Sequence, residues 1–312
     1  MNIHVSVKHY VYILILAIVW GSSFTAVKIS VDEFSPVQIA FVRVFIGGGI
    51  VLTVALYGRL KLPIQLKNWS VLLLIAIFSN VLPFSMIGWA STISDSSTVS
   101  ILMATSPIFA LVLSHFFTAD DRLTWFKVLS VIIGFSGVLI LVLPSINLSD
   151  TSNLLAKLAT LLAAVSYVIA GLLTRKLTED IGVPSITSIV LIFSTLILAP
   201  IAFIEGFSAI DSYSFEVLLS VLFLGVFSTA LALLIRYSLI LQVGYTFVSY
   251  TGFLVPVFGL IFGALLLNEK LILNTYISLL LVLLALTISR LNSKKIRSAL
   301  ANIKAILAKK DK

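Results

Sequence analysis

Few side chains in this 312-residue chain could do chemistry, and most of them sit at the edges of apolar runs. There is no cysteine, so thiolate nucleophiles, disulfides and thiolate metal sites are excluded. His4, His9 and His115 are too scattered to share a metal. The thirteen acids lie at the ends of apolar runs, in short connections or in the last basic segment. Arg43 differs, because it stands inside an apolar run. The other polar and aromatic groups within such runs are Trp20, Ser22, Ser23, Ser79, Asn80, Trp89, Ser166, Tyr167, Ser228, Thr229 and Tyr250. Hydroxyls, one amide, one guanidinium and aromatic walls are the chemistry of binding, suited to a small zwitterionic or amphipathic solute. An enzyme would need paired acids, a His cluster or a Ser/His pair within reach of the membrane, and with His115 the one histidine in the apolar runs no such set is expected. No metal and no cofactor is expected. Each serine has an alternative, since Ser and Thr in apolar helices often bond their own backbone or a neighbouring helix. Asn80 is the stronger candidate, because an amide facing lipid is costly.

The elements that must position these groups follow from composition. Apolar residues make up 60% of the chain and charged residues only 11%, against roughly 25% charged in a soluble domain. Mean hydropathy is +1.16. Such a chain cannot cover a soluble globule with polar groups, so a soluble enzyme and a nucleic-acid binder are both excluded. The charges divide it into ten apolar segments: 10–27, 34–58, 68–94, 96–119, 128–149, 158–174, 181–204, 217–235, 237–268 and 271–289. A bilayer core about 30 Å thick needs roughly 20 apolar helical residues. Backbone groups in lipid must be satisfied within the segment, so each is read as a helix. The fold class is therefore an all-α integral membrane protein with ten transmembrane helices and the lipid bilayer as its surroundings. The run from Tyr10 to Val27 is too long for a signal-peptide core and is read as a retained span.

Lys and Arg set the orientation. With the N-terminus inside, seventeen fall on the cytoplasmic side, counting Arg236 in a loop, and only Lys28, Lys157 and Lys270 fall outside. An even span count returns the C-terminus to the cytoplasm. Residues 292–312 form a basic tail in which Ile296, Leu300, Ile303 and Leu307 share one helical face, as an interfacial helix on anionic lipid would.

The halves repeat. At an offset of 149 residues, Phe78-Ser79 meets Phe227-Ser228, Val99-Ser100 meets Val248-Ser249, Pro107 meets Pro256, and Asp120 meets Glu269. With one gap, Pro36 meets Pro184. The units are 1–145 and 154–291, each of five helices. Five is odd, so the second half enters the membrane inverted, which is a transporter pattern with the solute site between the halves. Pro107 and Pro256 stand mid-helix and free the carbonyls of Met103 and Gly252, so they are expected as a paired hinge or gate. Gly47-Gly48-Gly49, Gly134, Gly137, Gly259 and Gly263 read as close helix packing. Arg43 has no counterpart, since position 191 is Leu. It is expected either to capture a solute carboxylate or to pin carbonyls and an outer acid such as Asp32 or Asp95. A channel would want a continuous polar stripe or symmetric subunits. With no carboxylate deep in a span, coupling through a proton relay is not expected.

Several of these residues resemble a known family. Trp20-Gly21-Ser22-Ser23-Phe24, Phe41-Val42-Arg43, Leu82 to Ala90, Ile101 to Pro107 and Leu254 to Phe258 with Asn268-Glu269 are similar to the signatures of the drug/metabolite transporter superfamily, EamA-type branch. Here Asp120-Asp121 stands where the family often has Glu. The resemblance, over roughly 10–291, implies a ten-helix permease or exporter of small metabolites, amino acids among them, in a bacterial inner membrane. A monomer or homodimer is expected.

Overall fold

A computed structural model of the chain describes residues 6–58, 60–117, 125–143, 151–174, 176–177, 181–243, 248 and 251–289. Tyr250, the pair Asp120-Asp121 and the tail at 292–312 lie outside the described residues, as do the side chains of His115 and Tyr237.

The described residues form ten helical rods. They are α1 (Val7–Ser30), α2 (Pro36–Tyr57), α3 (Leu66–Ile93), α4 (Ser96–Met103 and Ser106–Phe117) and α5 (Trp125–Val142). In the second half come α6 (Ser152–Thr174), α7 (Val183–Glu205), α8 (Phe215–Phe223, continued through Val243), α9 (Thr251–Leu266) and α10 (Leu273–Ser289). Seven of the described helices are long and apolar enough to cross a membrane, and shorter apolar helices accompany them. This is an all-α, multi-span membrane protein.

Local chemistry fixes the helix starts. Ser35 caps α2 by accepting from Gln38 N, Gln38 Oε1 accepts from Ser35 N, and Pro36 opens the first turn. This reciprocal cap satisfies two backbone donors. Pro184 stands in the first turn of α7, the place of Pro36 in α2. Both prolines occur where a missing N–H costs nothing.

The principal contacts keep their pattern when the halves are exchanged. α1 packs on α9 as α6 packs on α4, α2 packs on α8 as α7 packs on α3, and α2–α7 and α5–α10 join the halves directly. Both α3 and α8 contain a π-helical stretch, Ile77–Val81 and Leu224–Leu231. These overlap at the offset that pairs Phe78-Ser79 with Phe227-Ser228.

One expected boundary moves. The sequence reading ended the eighth span at 235 and placed Arg236 in a loop, but α8 runs on to Val243 with Arg236 inside it. The guanidinium lies 6.0 Å from the Trp20 ring centre. A charge that finds an aromatic face does not have to end a span. Lys28 also belongs to a helix, the last turn of α1, where its amine bonds Ser91 O at 2.7 Å and Ser94 O at 3.1 Å.

The glycines separate by neighbour. A Cβ on Gly21 would come within 2.5 Å of Phe258 Cβ and 3.0 Å of Gly259 N, so α1 and α9 touch there through near-backbone atoms. Gly47, Gly134, Gly137, Gly259 and Gly263 are also tightly faced. Gly49 is not, having nothing within 4 Å, because it looks away from the bundle. Gly21→Ala should therefore lower the thermal midpoint, overpacking costing ~1–3 kcal/mol. Gly49→Ala should hold or raise it, through the helix preference of Ala, about 0.8–1 kcal/mol. Melting the two variants in one detergent checks the opposite signs.

Candidate functional site

Arg43 is 6% exposed and lies where α2, α3 and α8 meet. The approach of α2 to α8 is set by two glycines. A Cβ on Gly47 would fall 2.8 Å from Thr229 Cγ2, and one on Gly225 would fall 2.7 Å from Ile46 Cβ. Close packing one turn from Arg43 brings its guanidinium onto the π-helical stretch of α8. Nε donates to Thr229 Oγ1 at 3.2 Å and Nη2 to Ser228 Oγ at 3.3 Å. The guanidinium carbon stands 3.7 Å from the Phe84 ring centre on α3. This contact is close enough for cation–π attraction, worth ~0.5–2 kcal/mol.

The same turn of α8 receives a second donor. Trp20 Nε1 donates to Ser228 O at 3.3 Å. A π-helical turn bonds i to i+5 and carries one residue more than an α-turn, which frees local carbonyls. Tyr167, on α6, is within electrostatic reach of both Arg43 and Arg236. Trp20, Arg43, Tyr167, Ser228 and Thr229, scattered over more than 200 residues of sequence, are thus brought into one neighbourhood by α1, α2, α6 and α8. Asp32 or Asp95, the anticipated acid partners, do not take the guanidinium. Two hydroxyls and a ring do, and among the described residues no carboxylate pairs with it.

The equivalent region of α3 is put to another use. Asn80, 2% exposed, donates from Nδ2 to Ser194 Oγ on α7 at 2.9 Å. Ser194 itself donates to Val190 O. Asn80 therefore ties α3 to α7 where Arg43 ties α2 to α8. Ser79, beside it, is half-buried. Ser22 donates to Ile18 O and Ser23 to Trp20 O, each within its own helix. Ser166 is buried on α6. Trp89 is 39% exposed. It stands five residues past Phe84, about 140° around the helix, so α3 turns Phe84 and not Trp89 to Arg43.

The prolines occupy unlike local structure. Pro107 is the second residue of a helical segment that follows a two-residue turn at Ala104–Thr105, whereas Pro256 is inside the continuous α9. Pro107 nonetheless packs on α9 about one turn before Pro256, a Cβ on Gly252 lying 3.4 Å from Pro107 Cγ. Sequence reasoning missed Phe84 as part of the site, although it stands in the family-like stretch Leu82 to Ala90, and it grouped Arg236 with Ser228 and Thr229 on the eighth helix while ending that span at 235.

A pocket of about 180 Å³ opens at one end of the bundle, lined among others by Ser94, Asp95, Ser97, Lys157, Lys270 and Asn274. The Asp95 carboxyl is pushed above the usual carboxylate range, by desolvation first and then by Glu269, against the opposing pull of Lys28 and Lys157.

Apolar helices in bundle contact, paired π-helical turns and a buried guanidinium among hydroxyls define a membrane protein of the solute-handling kind. The EamA-like transporter family matches residues 7–143 and again 154–291, and the chain belongs to that family. It is similar to the uncharacterized transporter YoaV of Bacillus subtilis, 26% identical over 278 residues, covering 88% of this chain and 94% of YoaV. An uncharacterized transporter of Archaeoglobus fulgidus is 27% identical over 281 residues, covering 90% and 98%. A solved crystal structure superposes with a TM-score of 0.65 at 14% identity, covering 91% of this chain and 97% of the other, which is a likeness of fold.

Proposed function

We propose that this protein moves small zwitterionic solutes, amino acids or related metabolites, across a bacterial inner membrane, in the export direction. Transport runs by alternating access between two inverted units, 1–145 and 154–291, with both termini cytoplasmic. The solute binds at the Arg43 neighbourhood. The observation that carries this reading is Arg43 itself: a buried guanidinium held by two neutral hydroxyls and a ring, with no carboxylate neutralising it among the described residues. A charge at membrane depth is costly and marks a solute path. Its planar fork suits a carboxylate. Ser228, Thr229 and Tyr167 supply hydroxyls for the rest of the solute, and Trp20 and Phe84 supply walls. The protein forms no covalent intermediate and needs no cofactor. The chain acts as a monomer or homodimer in lipid.

The test is purified protein in liposomes preloaded with an unlabelled amino acid. Saturable uptake of the labelled amino acid by exchange is expected, with loss of competition when the competitor's carboxylate is converted to an amide. Unitary current without saturation would make the protein a channel, and a chemically altered solute would make it an enzyme.

A further inference from the structure

At the Asp95 end of the bundle, which the charge pattern places outside, the two halves are joined by a carboxylate. α9 ends at Leu266, and Leu267 N and Glu269 N both bond Gly263 O. Asn268 makes this reversal with φ 52, a left-handed conformation that Asn accepts more readily than most residues. The turn sends the Glu269 side chain back across to the first half. Its Oε1 accepts from Ser96 N at 2.6 Å and its Oε2 from Ser97 N at 3.1 Å, the first two residues of α4. Gly263 makes the room, since a Cβ there would lie 2.6 Å from Glu269 Oε2 and 2.8 Å from Ser96 Oγ. A carboxylate on the free N–H groups of a helix start is a strong, charge-assisted contact.

We propose that Glu269 is the latch of the outer gate: it holds the start of α4 in the outward-closed state, and Asp95 limits how tightly. The latch joins α4 to α9, the helices that meet again at Pro107 and Gly252. Releasing it lets the pair separate at the outer end. Asp95, the residue before Ser96, is a like charge beside Glu269 and weakens the closed state. Lys28 and Lys157 offset part of that charge while their amines bond carbonyls, Lys28 those of Ser91 and Ser94 and Lys157 that of Leu141 at 2.6 Å. Lys270 follows Glu269 and lines the neighbouring pocket. The closed arrangement leaves the buried hydroxyls of Ser91, Ser94 and Ser96 without hydrogen-bond partners. Water entering on opening gives them partners, which favours release once the carboxylate lets go.

The inference rests on the transport reading, but its test does not require a solute. The chain has no cysteine, so Ser97→Cys adds a single thiol at a position that is 2% exposed and lines the pocket. Its reaction rate with a water-soluble, membrane-impermeant maleimide is measured at one pH in nanodiscs. Adding Glu269→Gln should raise that rate on the order of tenfold, the scale of one lost charge-assisted hydrogen bond. Adding Asp95→Asn, which keeps a helix-capping residue, should lower it about threefold through loss of the like charge. Thermal melts of each variant confirm that the bundle is folded. Equal rates in all three, or a rise in both variants, overturns the latch. Opposite shifts without any exchange activity in liposomes would keep the latch and remove the transport reading instead.

Discussion

Arg43→Ala should cut exchange flux by at least about 30-fold, since truncating one member of the buried charge pair that Arg43 makes with a solute carboxylate costs roughly 2–5 kcal/mol. The bundle should still fold. Arg43 has no charged partner to strand among the described residues; the groups released are the hydroxyls of Ser228 and Thr229, which can turn to backbone carbonyls as Ser22 and Ser23 already do. Arg43→Lys separates charge from shape. The ammonium keeps the charge but cannot offer two parallel N–H groups. It should raise the half-saturation concentration roughly 10-fold or more, with a smaller change in maximal rate, because carboxylate recognition by the fork is the part removed. Both variants are compared by exchange rate, half-saturation concentration and thermal midpoint. Wild-type flux in both would dismiss Arg43 as a solute ligand. A collapsed midpoint in Arg43→Ala would make it a structural pin between α2 and α8.

Deleting Phe227 should also abolish flux. The π-helical stretch Leu224–Leu231 holds Ser228 and Thr229 against Arg43, and Ser228 O against Trp20. Such a stretch contains one residue more than the α-helix it interrupts. Removing that residue lets α8 close into regular α-helix, so the flanking turns keep their facing while the widened turn between them is lost. Ser228 and Thr229 would then leave Arg43, and Ser228 O would leave Trp20. Phe227 is itself 46% exposed, so little packing is lost with its ring. Flux should fall by about 100-fold or more, the scale of an interaction of roughly 3 kcal/mol. Deleting Leu62, exposed in the connection between α2 and α3, is the control and should leave flux within about twofold, since short surface connections tolerate length changes. Normal exchange by the Phe227 deletion would mean that the extra residue has no part in the site.

Most of the architecture was legible before any coordinates. Long apolar runs between sparse charges set the number of rods, because lipid admits backbone only when its own hydrogen bonds are closed. Pro36 and Pro184 marked two helix starts. The matched register of Phe78-Ser79 and Phe227-Ser228 marked the two stretches where the helices widen, although nothing in the sequence said that they would be π-helical. Such a turn is fixed by packing on both sides, and no residue type has a preference strong enough to announce it.

The charges were harder to read. Arg236 reads as a span boundary because a cation normally ends a span, and its tertiary surroundings, the Trp20 ring from 216 positions earlier in the chain among them, keep it inside α8. Arg43 was recognised as buried, but an acid was the natural partner to expect. The hydroxyls it bonds belong to the other half, and their approach depends on glycine contacts between α2 and α8. Asn80 was recognised as costly to expose, yet its partner, Ser194, is 114 residues away. Glu269 looked like the acid that ends a helix, but α9 stops three residues earlier, at Leu266. That its carboxylate instead caps the start of α4 follows from a left-handed Asn268 and the space beside Gly263. By itself the sequence determined the helices, their repeat and the short set of polar groups carried within them, since these depend on composition and spacing along one chain. The tertiary structure decided which of those groups meet, because a helix of regular pitch offers several faces and only packing against its neighbours selects one.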